Sequence, residues 1–427
     1  MKNSLFLKAL VVGALAAALL VPVSMIRELV GERQQRAAEA VAGIAEGWGH
    51  RQVVEGPYVA IPYERHWTEV KRETVDGRPR ETRIERKESQ VLRAPAASVD
   101  WIAGAEISEK QRSLYKARLY SARLQAKGRL VVPATAPHED GTSRYRWGVP
   151  RLVLGISDPH GIRAATVSVD GRDLAFSAGP GDRPVAAGLH ALLPGARAAT
   201  LDFALALDLG GSESLAIAPR GADTTVAMRA DWPHPSFLGR FLPERHEIGA
   251  GGFSASWRVS RLAAQGTEPL IVSFVEPAGL YQQLERAGKY GFLFIGLTFA
   301  AFFLFEVLRR LPIHPVQYAL VGLALAMFFL LLTALSEHIA FAYAYAAAAL
   351  ACVVLLTGYL FFVLRGPIAF AFGAALAGVY AILYLLLKAE DYSLLGGSVF
   401  LFVALASVML ATRRVDWYAL RAARAQA

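Results

Sequence analysis

Six apolar runs, each long enough to cross a bilayer as a helix, constrain this chain more than any other feature. A hydrocarbon core of about 30 Å needs roughly 20 apolar residues of helix. One run covers residues 9–26, and five crowd the C-terminal third at 290–308, 316–335, 339–364, 368–387 and 393–411. The 427 residues are 54% hydrophobic and 19% charged, and the apolar excess sits almost wholly in those runs. They predict a multi-pass membrane protein whose first partner is the lipid bilayer.

Lys2 and Lys8 flank the first run. The triplet Ala16-Ala17-Ala18 lies inside it, and Leu19-Leu20-Val21 follow with no polar cleavage region. An uncleaved signal anchor is therefore expected rather than a removed signal peptide. Arg309, Arg310, Arg365, Arg413, Arg414, Arg421 and Arg424 fall on the same side as Lys2 and Lys8. The connectors on the other side, Ser336-Glu337-His338 and Lys388-Ala389-Glu390-Asp391, are neutral to acidic. The positive-inside rule then places both termini in the cytoplasm of a bacterial inner membrane, with residues 27–288 in the periplasm. The expected division is a signal-anchor helix (1–26), a periplasmic, mostly-β domain with an N-terminal helical stalk (27–288), five transmembrane helices (289–412) and a basic cytoplasmic tail (413–427).

The net charge of +9 belongs largely to helix-orienting flanks, and no stacking or groove-reading motif accompanies it, so no nucleic-acid partner is expected. The one cysteine, Cys352, lies in the fourth run, which leaves the outer domain without disulfides or a cysteine-based metal site.

After the stalk IRELVGERQQRAAEAVAGIAEGWG the sequence turns to β-strand patterns. RQVVEGPYVAIPY is interrupted by Gly-Pro. Asp76-Gly77 and Asp170-Gly171 sit between alternating arms and signal hairpins. Leu201, Phe203, Leu205, Leu207 and Leu209 recur with period two. These signals predict an α + β membrane protein whose outer part is an antiparallel β-sandwich-like domain. The runs WPHPSFLGRFLP, GFSASWRV, KYGFLFIGLTFAAFFLFE, IHPVQYALVGLALAMFFLLL and LSEHIAFAYAYAAAA resemble the CreD family of inner-membrane, cell-envelope integrity proteins. The likeness is densest over residues 232–349 and extends to MIRELVGER, GPY and YKARLY. It implies a role in envelope integrity and stress response, linked to β-lactam or other envelope damage, and it names no reaction.

Glu244-Arg245-His246-Glu247 reads as a hairpin arm closed by Gly251-Gly252, with Phe253 and Trp257 as core residues. No HExxH or second ligand cluster supports a metal, and no cofactor is expected. Residues 232–237 read as an extended edge segment packing Trp232 and Phe237. Ser157-Asp158-Pro159-His160-Gly161 reads as a turn, and His138-Glu139-Asp140 as a solvated loop. Ionisable groups at membrane depth are functional hypotheses by default. Here they are Glu306, at helical spacing from Arg310, then His314 and Gln317 at the opening of the third run, and Glu337 and His338 at its far end. AYAYAAAALA suggests close helix packing. Three readings stay open. One is a non-enzymatic envelope protein, and one is a lipid or small-molecule transporter or intramembrane enzyme using those five residues. The third is a periplasmic binding or sensor module for lipid, peptidoglycan or a membrane protein.

Overall fold

The structure, a computed structural model, describes residues 4–75, 78–112, 114–134, 143–179, 187–196, 198–220, 222–263, 268–275, 279–309, 313–364, 368–388 and 393–413. It divides into two compact units: Glu39–Pro277, and Met1–Ala38 with Ala278–Ala427.

Period-two alternation builds the first unit. In the strand Ala199–Ser212, Phe203, Leu205, Leu207 and Leu209 are buried and Leu201 is half-buried, while the intervening residues face outward. Asp170 and Gly171 both have positive φ (47° and 72°), as a type I′ turn requires, and Val169 pairs with Arg172 across them. Asp76 and Gly77 lie outside the described residues, but their flanking arms pair from Tyr58↔Pro95 to Val75↔Arg78. At Gly56-Pro57 the strand Gln52–Val75 continues through a register shift between Glu55 and Tyr58. The Gly-Pro interruption is thus a bulge within one strand.

Among the described residues, seventeen strands form sheets of nine and eight. The eight-stranded order is Arg245–Gly249, Gly252–Val259, Asp223–Ala230, Ser98–Arg112, Tyr115–Val132, Ala199–Ser212, Ile162–Val169 and Arg172–Leu174. The nine-stranded sheet is built on Gln52–Val75, and the strand path through it ends at Ser236–Gly239 on one side and Ser177–Ala178 on the other. The expectation of purely antiparallel sheets is corrected here, because each sheet contains one parallel pair. Gln52–Val75 runs parallel to Ser214–Ala218, and Ser98–Arg112 parallel to Asp223–Ala230. Hairpins generate antiparallel neighbours only; these two pairs close through long crossovers that no turn signal marks.

The inner faces share one apolar core, with Val54, Ile61 and Leu154 from one sheet and Trp101, Leu124 and Leu207 from the other. Phe253 and Trp257 are buried in it, Trp232 and Phe237 pack against it as expected of that edge segment, and so does Phe241. The turn before Phe253 is made by Ala250 and Gly251, with Gly249 paired to Gly252. His138-Glu139-Asp140 lies outside the described residues.

In the second unit the anchor and stalk run as consecutive helices, α1 (Ser4–Ala18) and α2 (Leu20–Ala45), of which residues 39–45 belong to the first unit. Five more follow: α3 (Leu280–Arg309), α4 (Pro315–Ser336), α5 (Phe341–Leu364), α6 (Ile368–Lys388) and α7 (Ser393–Thr412). Among the described residues, four segments are long and apolar enough to cross a membrane: Leu10–Ala45, Pro315–Ser336, Phe341–Val363 and Ala369–Lys388. Among the described residues the C-terminal region thus has five helices, three of which qualify as spans, not the five expected. α3 opens with Glu285, Arg286 and Lys289 and holds Glu306 near its end, so charge hems in its apolar stretch. Around α4 the core contains Phe294, Phe302, Tyr318, Phe328, Tyr345 and Tyr380. One face of the alanine-rich segment packs, through Ala344, Tyr345 and Ala348. The other, with Tyr343 and Leu350, is exposed.

Candidate functional site

The polar residues singled out at membrane depth separate to the two ends of α4, which at 1.5 Å per residue lie about 33 Å apart. They do not form one site.

At the first end, His314 is the N-cap of α4 and Pro315 its first helical residue. The backbone N–H of Val316 donates to His314 Nδ1 at 3.3 Å, and that of His314 donates to Gln317 Oε1 at 3.1 Å. This is a capping box, in which two N–H groups that the helix cannot satisfy are satisfied by side chains. It engages Gln317 Oε1 and one ring nitrogen of His314 in local structure.

Glu306, near the end of α3, is buried. Its Oε1 is ion-paired with Lys8 of α1, and Tyr318 of α4 donates its hydroxyl to Oε2 at 2.7 Å. Lys8 Nζ also donates to the carbonyl of Ile313 at 2.7 Å. Arg310 lies outside the described residues; the described partners of Glu306 come from α1 and α4 rather than from its own helix. An isolated buried carboxylate would cost several kcal/mol, and here both oxygens are engaged by a cation and a hydroxyl. The cluster fastens α1, α3 and α4 together.

At the other end, Glu337 is the C-cap of α4. Its Oε2 lies 3.7 Å from Arg33 Nη1 of α2, while Oε1 is buried with no hydrogen-bond partner among the described residues. A carboxylate at a helix C-terminus also meets the negative end of the helix dipole. His338 is exposed, and its N–H donates to the Leu335 carbonyl at 3.0 Å. Between the two ends, the buried hydroxyls of Thr333 and Ser336 are turned back onto carbonyls of α4 itself. Cys352 donates to the Ala324 carbonyl at 3.3 Å, and Tyr345 to the Tyr380 carbonyl at 2.7 Å.

Lys8, Tyr318 and Arg33 complete these contacts, and sequence reasoning did not pair them with the carboxylates. One signal was present: Lys8 interrupts the apolar SLFLKALVV, and a charge in such a run calls for a buried partner.

In the β unit, the Ser157–Gly161 turn proves to be a structural junction. Asp158 caps a short 3-10 turn by accepting from the His160 N–H, and also accepts from the His50 N–H at 2.9 Å. The ring Nδ1 atoms of His50 and His160 lie 2.8 and 3.0 Å from its carboxyl oxygens. Burial alone would raise the Asp158 pKa, but these hydrogen bonds outweigh it and hold the carboxyl well below the usual carboxylate range. Beneath it, buried Gln52 donates to the carbonyls of Asp158 (3.0 Å) and Gly210 (3.1 Å). No group of three or more metal-ligating side chains occurs among the described residues.

The sequence profile of the family described as Inner membrane protein CreD matches residues 4–418. Inner membrane protein CreD of Escherichia coli (strain K12) is 33% identical over 437 residues, spanning 98% of this chain and 95% of that one. This chain belongs to the CreD family. As a CreD-family chain it is an inner-membrane protein, with its apolar helices embedded in the bilayer. Solved structures resemble it only slightly. The M1 zinc metallopeptidase from Deinococcus radiodurans gives a TM-score of 0.22 at 10% identity, over 42% of this chain and 42% of that one. Yeast LTA4 hydrolase gives 0.21 at 8% identity, over 48% of this chain and 34% of its own. Such scores carry nothing about the chemistry of the CreD-family chain.

Proposed function

We propose that this CreD-family protein is a non-enzymatic component of cell-envelope integrity, serving the response to β-lactam or similar envelope damage. Both termini are cytoplasmic in this reading and the β unit is periplasmic, as the distribution of basic residues favours. One observation carries it. Of the five membrane-depth residues that could have done chemistry, Glu306, His314 and Gln317 are engaged in fastening α1 to α3 and α4 or in capping α4. A catalytic or transport site keeps such groups open to substrate; here they hold helices.

A transport or intramembrane-enzyme reading has one observation in its favour, the unpartnered buried oxygen of Glu337. The two readings separate in complementation of a deletion strain under β-lactam stress. The fastening role expects loss of protection in Lys8→Met and its recovery in the Lys8→Met, Glu306→Leu double variant. It also expects wild-type protection from Glu337→Gln and His338→Ala. Failure of the latter two at normal protein levels would move the assignment to transport or catalysis.

A further inference from the structure

The outer face of the eight-stranded sheet carries a trough of about 680 Å³ that none of the membrane-depth residues explains. Its floor follows from the pairing register. Gly104 of Ser98–Arg112 is paired with Arg229 on one side and Arg123 on the other, and Arg123 in turn with Asp208. With period-two alternation, these side chains stand on one face in a single row across four strands. The middle place is empty, because Gly104 has no side chain and nothing lies within 4 Å of where its Cβ would be. Two guanidinium groups therefore flank an open slot.

The charges around the slot are not used up internally. Arg123 is paired with Asp208 at 3.2 Å, but among the described residues Arg229 has no ion-pair partner. One row along the strand, roughly 7 Å away at two residues' rise, stands Glu106, which also has no described partner. Beside it is Asp231, with one carboxyl oxygen accepting the Ile107 N–H at 2.7 Å. One row in the opposite direction lies Ile102, an isoleucine 56% exposed within the same trough. An unpaired arginine and an unpaired glutamate thus face an open floor one row apart, with an apolar surface beside them. Ligand pockets typically enclose about 300–1,000 Å³ with a few placed polar groups, and this trough falls in that range.

We infer that the trough is a binding site for a short zwitterionic peptide. Its carboxylate sits between Arg229 and Arg123, its amine at Glu106 and Asp231, and a small side chain lies over Gly104 against Ile102. Arginine suits the first role because its planar fork takes a carboxylate through two parallel hydrogen bonds. The row spacing of about 7 Å matches the separation of amine and carboxylate in a peptide of two or three residues and is too long for a free amino acid. The inference goes beyond an envelope-integrity role and does not rest on it.

Titration calorimetry on the full-length protein in detergent micelles tests it, with trialanine as probe. Saturable binding at millimolar or lower concentration is expected. N-acetyl trialanine amide, free alanine and inorganic phosphate should each bind at least about tenfold more weakly, since each lacks one or both charges at the required spacing. Arg229→Gln and Glu106→Gln should each weaken trialanine by about tenfold. Gly104→Val should abolish it by filling the slot, with an unchanged melting temperature, because the new side chain stands on an open face. Absence of saturable trialanine binding to the wild-type protein would overturn the inference. So would wild-type affinity in both glutamine variants, or phosphate binding as tightly as trialanine. The glutamine substitutions are on the surface and keep the test decisive if Gly104→Val lowers the melting temperature.

Discussion

Beside each end of α4 a largely buried carboxylate meets a cation from the N-terminal helices, yet the two ends are built differently. At one, Glu306 has Lys8 on one oxygen and the Tyr318 hydroxyl on the other, and Lys8 is held further by the Ile313 carbonyl. At the other, Glu337 lies 3.7 Å from Arg33, keeps an oxygen unpartnered, and sits where the helix dipole repels it. The first arrangement has every charge answered, so breaking it leaves an exposed deficit in low dielectric. The second is already deficient, so breaking it removes little. An ion pair seen in a membrane protein is a fastening only when its remaining hydrogen-bonding capacity is also met.

This contrast can be broken experimentally. The largest effect is expected from Lys8→Met, which strands the Glu306 carboxylate and should cost about 3–5 kcal/mol of stability. Adding Glu306→Leu should recover most of it. Reversible unfolding of the purified protein measures both, and a destabilisation below about 1 kcal/mol for the single variant would remove the fastening role. Next comes Tyr318→Phe, which deletes one hydrogen bond to a charged group and should cost about 1.5–3 kcal/mol in the same assay.

The β unit supplies a third test, with water-accessible chemistry in place of lipid. The folded Asp158 carboxyl titrates below its unfolded value, so its contribution is fully present above about pH 4 and is lost as pH falls further. Asp158→Asn should lower stability at neutral pH by about 1–2 kcal/mol and flatten the acid limb of the stability profile. An unaltered acid limb, followed by circular dichroism, would remove Asp158 as its source. The smallest effects belong to the far end of α4. Arg33→Ala should cost less than about 1 kcal/mol. Glu337→Gln should be neutral or slightly stabilising, because it removes a loosely paired negative charge at a helix C-terminus. Strong destabilisation by Glu337→Gln would erase the contrast between the two ends.

Local patterns in the sequence carried most of the elements. The hairpin at Asp170-Gly171, the inward face of Leu201–Leu209 and the core positions of Phe253 and Trp257 all follow from alternation and turn chemistry. The membrane helices follow from run length, and among the described residues three of the five C-terminal runs qualify as spans. The parallel pairs were not legible, since they join segments with no local relation. The ion pairs were hidden for the same reason: Lys8 and Glu306 are 298 positions apart, and only tertiary packing brings them together. The capping box was legible in principle, because His-Pro-Val-Gln supplies an N-cap, a proline at the first turn and an amide three residues on. The trough was not, as Arg123, Arg229 and Gly104 come together only through register.

The two parallel strand pairs bear on how the protein is made. Gln52 finds its partner at Leu215, and Ser98 its partner at Asp223, so neither sheet is complete until the chain past residue 223 is available. Until then the long Gln52–Val75 and Ser98–Arg112 strands each lack a neighbour and leave edge hydrogen bonds and apolar faces uncovered. Pairings of such sequence separation form slowly and expose aggregation-prone edges meanwhile. A nascent β unit of this design therefore has a long vulnerable interval during synthesis, and truncation anywhere before residue 223 should leave both sheets open rather than one of them finished.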